Sequence, residues 1–260
     1  MSSAPRRLRA IVWELILPVV LFVGWWGWSS ASTSMYFAPL PKILSAFVHT
    51  WLGAGFNENV VPSLRNFIVG FLLGSFIGII TGVAIGRVRW LRWLFGPITE
   101  YLRALPAPAM LPFFILILGI GAQMQIGIII FGVVFVVLLN AVDGARSIEP
   151  TLDDVCTVYR IPLRYRIMRV ILPAATPQII AGLRTGLSLA IVLMVVSEMV
   201  AATRGIGFFT LQAQQNFDFV NMWSGMLLLA LIGVLVNLLF VWLIERPMLF
   251  WQRGVSGTDR

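Results

Sequence analysis

One cysteine, one histidine and one lysine occur in 260 residues. The lone Cys156 excludes an internal disulfide, a thiolate cluster and a Cys-x-x-Cys redox pair. With His49 as the only imidazole, a His/Cys metal site has no ligand set within one chain. The single lysine, Lys42, stands between Pro41 and Ile43 rather than behind a run of glycines, so the chain has no phosphate-binding loop. Acidic residues are also few, eleven Asp+Glu against nineteen Lys+Arg, and charged residues make up only 12% of the chain. Apolar residues fill the space at 59%, against roughly 45–50% in soluble proteins, and mean hydropathy is +0.91. A water-soluble fold could not hide that much apolar surface and still face solvent with polar groups. The composition therefore predicts an integral membrane protein.

A net charge of +8 could serve nucleic acid. Here, however, the arginines lie in short polar breaks between apolar runs, which is a pattern of membrane orientation, and no nucleic-acid partner is expected. Six runs stand out, at about 11–30, 65–86, 98–118, 124–142, 179–200 and 223–244. Each is near the ~20 residues that cross a ~30 Å hydrocarbon layer. The first follows Arg6, Arg7 and Arg9, and its length and its tryptophans read as a retained helix rather than a cleaved signal. The second carries Gly70, Gly74, Gly78, Gly82 and Gly86, one helix face open to close backbone approach. That face either packs within the subunit or slides and pairs when an assembly changes state. The third holds Pro106, Pro108 and Pro112 and reads as a kinked or broken span.

With both termini placed in the cytoplasm, fourteen arginines fall inside: Arg6 to Arg9, Arg87 to Arg92, Arg146 to Arg169, and Arg246 to the end. Lys42 and Arg204 fall outside, with Arg65 near the boundary, a strong inside bias. The longest inner segment lies between the fourth and fifth runs. Asp153 or Asp154 suits the first turn of a short helix ending near Arg160, and Pro162 can open a second helix at its first position. Pro173 and Pro177 are expected to end that helix before the chain re-enters the bilayer. The charged helix pair could be a rigid docking knob, or an interfacial pair bound to membrane lipids.

At this segment the chain resembles the permease subunits of bacterial ATP-binding cassette importers, whose signature is Glu-Ala-Ala-x3-Gly-x9-Ile-x-Leu-Pro. Val170-Ile171-Leu172-Pro173 matches the close of it, Arg160 takes the glycine place, and Asp154-Val155-Cys156 the Glu-Ala-Ala. Phe37–Ile43 (FAPLPKI), Leu102–Gly121 (LRALPAPAMLPFFILILGIG) and Ser197–Gly207 (SEMVAATRGIG) resemble the branch for nitrate, taurine, alkanesulfonates and related solutes. The resemblance covers nearly the whole chain. It implies an all-α polytopic fold of the type I importer class, residues 1–260 forming a single permease domain. It also implies a bacterial inner-membrane location, a second permease chain as partner, two ATP-binding subunits and an external substrate-binding protein. Solutes implied include sulfonates, taurine, nitrate and thiamine-pyrimidine-like heterocycles. The chain itself would hold no cofactor, ATP and Mg being bound by the partner subunits.

The same resemblance assigns the coupling region to about 150–172, with Asp153, Asp154, Val155, Val158, Tyr159, Arg160, Pro162 and Arg164 meeting the ATPase. A glycine at position 160 would let the chain turn freely, so Arg160 has to turn without that freedom, or Arg160-Ile161-Pro162 must carry the turn instead. Candidates for the translocation path or a gate are Glu198, Ser188, Asn140 and Arg184. Glu198 is an acid in an apolar run, and it either pairs with a buried donor or faces a wet cavity. Asn140 and Ser188 suit helix–helix hydrogen bonds better than a path lining. A secondary, ion-coupled transporter would want paired intramembrane acids and an inverted repeat, neither of which is evident. A passive channel would leave the charged inner segment unexplained, and a membrane enzyme lacks a catalytic cluster.

Overall fold

The computed structural model describes residues 36–248, together with 24–29 and the single positions Ile16 and Val20. All regular structure among them is helical. Helix α1 is Leu40–Trp51, α2 Val61–Arg87, α3 Arg89–Ala104, α4 Leu111–Leu118 and α5 Ala122–Arg146. Then come α6 at Pro150–Val158, α7 at Leu163–Arg166, α8 at Leu172–Ala201, α9 at Ile206–Gln215 and α10 at Phe219–Phe240. Among the described residues four continuous helices are long and apolar enough to cross a membrane: Phe56–Arg87, Ala122–Arg146, Leu163–Ala201 and Phe219–Met248. A fifth crossing exists if α3 and α4, bent by 91° at their break, form one span. The count of six is therefore not reached here, because the predicted first crossing, 11–30, falls largely outside the described residues.

The core is built on the α2 glycine face. A Cβ added at Gly70, Gly74, Gly78, Gly82 or Gly86 would meet Ile129, Val133, Val137, Ala141 or Ala145 of α5 at 2.7–2.9 Å. Each step of four on α2 meets a step of four on α5, so the two helices run parallel and nearly touch backbone to backbone. Of the two readings of that stripe, packing within the subunit is the one observed. Asn66 Nδ2 donates to Gln125 Oε1 at 2.5 Å and pins the register at the start of the interface. Because α2 and α5 point the same way, residues 88–121 must carry the chain back along the bundle, and the bent α3–α4 pair does this.

Helix α8 lies antiparallel on the other side of α5, with Gly144 against Ala175 and Gly182 against Asn140. Phe67, Phe71, Met124, Ile128, Val133, Val137, Leu187, Leu193 and Met194 close the core between the three helices. Helix α10 packs against α1 and α9 and leaves Leu231, Val234, Leu235 and Leu238 exposed, as is Trp242 in the π-helical turn Val241–Glu245 that continues it. An apolar helix that is exposed over so much of its length has lipid or protein for a neighbour.

Two expectations need correction. The third run does not begin at 98: α3 starts at Arg89, because the arginines, tryptophans and leucines of RWLRWLFGPITEYLRA make an amphipathic helix of what looked like a polar loop. Nor do Pro173 and Pro177 end a helix, since residues Leu163–Ala201 run on without a break. The π-helical turn Ile167–Ile171, in which the Leu172 amide donates to the Ile167 carbonyl, shifts the hydrogen-bond ladder just before Pro173. Pro173 then occupies a first-turn place in the segment that follows, where its missing N–H costs little.

Candidate functional site

Arg87 and Arg146 mark one end of the bundle, and α6 hangs from it. Helix α6 opens with Pro150 behind the extended residue Glu149. It closes in a Schellman motif: the Arg160 amide donates to the Thr157 carbonyl at 3.1 Å, and the Ile161 amide to the Cys156 carbonyl at 2.9 Å. The residue that must be left-handed in this motif is Arg160, at φ +51°. The motif glycine is thus replaced in sequence but not in conformation, and Arg160 carries the turn at a cost of roughly 1–2 kcal/mol. Pro162 does not sit inside the second helix as expected. It is the extended residue before it, and Leu163 is the first helical position.

Around this turn the predicted coupling residues divide into two groups. Asp154, Val155, Val158, Tyr159, Arg160, Pro162 and Arg164 are exposed, with Val158 at 77% and Tyr159 at 76%. Leu152 and Leu163 are exposed beside them. This is an apolar knob on a charged surface. Asp153 is different. Its carboxylate faces the bundle, accepting from Arg87 Nη2 at 2.6 Å and Arg166 Nη2 at 2.8 Å. Burial works to raise the Asp153 pKa, but the hydrogen bonds from Arg166 and Arg87 and their charges outweigh it and hold the carboxyl below its ordinary value. Arg87 also donates to the Ala145 carbonyl at 3.4 Å, so one guanidinium ties the ends of α2 and α5 to α6.

At the opposite end of the bundle Glu198 is only 1% exposed. Its Oε2 accepts from the Gly207 amide at 2.8 Å. Two further amides at the start of α9 are also met by side chains: Gly205 N donates to Asn59 Oδ1 and Ile206 N to Ser63 Oγ, both at 3.0 Å. These are the N–H groups a helix start leaves without partners, and a carboxylate is the favoured acceptor there. Gly205, at φ +132°, lies so close to the carboxylate that an added Cβ would meet Glu198 Cδ at 2.6 Å. Glu198 thus meets a buried donor through Oε2, while its Oε1 is buried without a hydrogen-bond partner among the described residues. Asn59 and Ser63 were missed in the sequence, since a polar residue at the edge of an apolar run gives no sign of its partner about 140 residues on.

The remaining candidates do not cluster with Glu198. Asn140 back-bonds to the Val136 carbonyl at 2.8 Å while its Cβ fills the notch at Gly182. Arg184 and Ser188 lie on an exposed stripe of α8 with Ala181, Thr185 and Val192, the helical spacing of a single face. Arg184 Nη1 is 3.4 Å from Glu245 near the end of the last helix.

A multi-pass helical bundle with a short helix pair fixed beneath one end is the build of a transporter's membrane subunit. Residues 74–246 match the family described as binding-protein-dependent transport system inner membrane component, and the chain belongs to that family. It is 30% identical over 246 residues to a Bacillus subtilis protein, SsuC, named as an aliphatic sulfonates transport permease, covering 94% of this chain and 88% of the relative. It is 28% identical to the taurine transport system permease protein TauC of Escherichia coli, covering 87% and 88%. A chain of the MetNI methionine ABC transporter in an inward-facing conformation shares the fold, with TM-score 0.64 and 20% identity over 72% of this chain and 94% of that one. The protein is thus the permease subunit of an ABC-type importer and not an enzyme.

Proposed function

We propose that this permease, a single domain over 1–260, moves a small anionic solute of the sulfonate or taurine kind. On this reading an external binding protein delivers the solute, two copies of the chain form the path, and each copy docks one ATP-binding subunit. The chain crosses the membrane six times, with 11–30 as the first crossing, α3–α4 as the third, and both termini in the cytoplasm. The solute class rests on the sulfonate and taurine relatives. The topology rests on the arginine bias and on the parallel run of α2 and α5, which needs a return crossing between them.

The single observation that carries the docking reading is the knob at Val155, Val158 and Tyr159, apolar and exposed beneath an arginine-rich end. Water-exposed apolar residues on a short rigid helix are what a partner's groove would cover. Asp154, Arg160 and Arg164 rim that knob with charge, suited to orientation rather than affinity. The solute path is placed along the α8 stripe, because Arg184, Thr185 and Ser188 would be costly against lipid and need water or a second chain. An arginine at the inner end of that stripe also suits an anion. Replacing Val158 with Asp and Tyr159 with Ala should abolish co-purification of the ATP-binding subunit while the permease still reaches the membrane. Full retention of that subunit would overturn the docking assignment.

A further inference from the structure

Asp153 lies within the coupling region yet turns away from its exposed surface, and the docking reading leaves it without a task. Three elements meet at its carboxylate: α6, which carries it; α2, through Arg87; and the 39-residue helix Leu163–Ala201, through Arg166. The three side chains are 21–31% exposed, so water screens these ion pairs less than it would surface ones. Both arginines sit on helices that continue into the spans. Arg87 ends the helix whose glycine face is seated on α5, and Arg166 stands one residue before the π-turn at Ile167–Ile171.

Without the clamp, α6 would be joined to the spans only by Ser147–Glu149 on one side and the left-handed turn at Arg160 on the other. Backbone links of that kind pivot. Its buried contacts to the bundle are also sparse, since Cys156 is the only residue between Leu152 and Arg160 that is buried.

We infer that Asp153 is a positioning residue that locks the docking helix to α2 and to the continuous helix Leu163–Ala201 at once, so that a displacement of α6 is delivered to both spans rather than lost in its hinges. The inference rests on the docking reading, but it makes a separate demand. Loss of the clamp should spare attachment of the ATP-binding subunit and damage the conversion of its motion into transport. A merely adhesive residue would do the reverse.

The test uses the complete importer in proteoliposomes and reads three quantities: bound ATP-binding subunit, ATP hydrolysed, and solute moved per ATP. Asp153→Asn keeps the shape and removes the charge. It should leave the subunit bound and lower solute moved per ATP by about fivefold or more, within the usual range of coupling between sites. Arg87→Gln cuts only the α2 arm and should give a smaller loss of the same kind. Because both act through one carboxylate, the double variant should be no worse than Asp153→Asn alone, and Asp153→Glu should recover part of the yield. The inference is overturned if Asp153→Asn moves solute at the parent yield, if the two losses multiply, or if Asp153→Asn releases the ATP-binding subunit. Failure of the docking reading would look different: the Val158 and Tyr159 variants would keep the subunit bound whatever happens at Asp153.

Discussion

Arg160 holds a left-handed backbone that its side chain does not favour, and two hydrogen bonds of a Schellman motif depend on it. Arg160→Gly should relieve this and stabilise the turn by about 1 kcal/mol. Slower hydrogen exchange at the Ile161 amide is the measurement; unchanged or faster exchange would count against the motif as its source. Glu198 makes a sharper case. If its work is to receive the Gly207 amide, Glu198→Gln keeps an acceptor and should retain most transport. Glu198→Ala leaves a buried N–H without a partner and should cost about 1–3 kcal/mol, seen as a lower unfolding temperature. Loss of transport in Glu198→Gln without loss of stability would return the residue to the path.

Asp153 also sets a pH dependence at this scale. Its folded carboxyl is held below the ordinary aspartate value, so the ion pairs contribute stability that is fully present above the unfolded pKa. That contribution disappears as pH falls through the lowered folded value. Proteolysis within 147–162 should therefore accelerate only under strongly acid conditions, and in Asp153→Asn it should be fast already at neutral pH.

Among elements, the α2–α5 contact decides most of the architecture. At Gly82 a new Cβ would stand 2.5 Å from the Leu138 carbonyl and 2.7 Å from the Ala141 Cβ. Neither atom can rotate away, so Gly82→Val should destabilise by about 1–3 kcal/mol or more. Gly233→Ala, where nothing lies within 4 Å, is the control and should cause no loss, and at most a small gain, in the same thermal unfolding measurement. The glycine spacing was legible in the sequence because period four on a helix is a local property. Its partner was not, because Ile129, Val133 and Val137 look like any other apolar run. The same difference explains α3. Proline and arginine content suggested a loop followed by a kinked span, whereas the alternation of tryptophan and leucine with arginine on one helix won from Arg89 onward. At Pro173, tertiary packing and a π-turn overrode a breaker that reads plainly in the sequence.

For the whole molecule, composition alone established the solvent, and arginine counting proposed the sidedness. Pairwise closures were hidden: Asp153 to Arg87 spans 66 residues and Gly205 to Asn59 spans 146. Val155, Val158 and Tyr159 are assigned to a partner contact from the sequence and all three are exposed in the structure, but the separation of Asp153 from that surface needed the three-dimensional arrangement. The bundle holds the inner face of α6 through Asp153, and its outer face is the one proposed to meet a partner.

Sidedness and docking can be read together from one labelled position. Tyr159→Cys in a Cys156→Ser background would be treated with a membrane-impermeant thiol reagent, first in intact cells and then in inverted vesicles with and without the ATP-binding subunit. The account predicts no labelling in intact cells, ready labelling of stripped vesicles, and protection once the subunit is restored. Labelling from the outside of intact cells would contradict it.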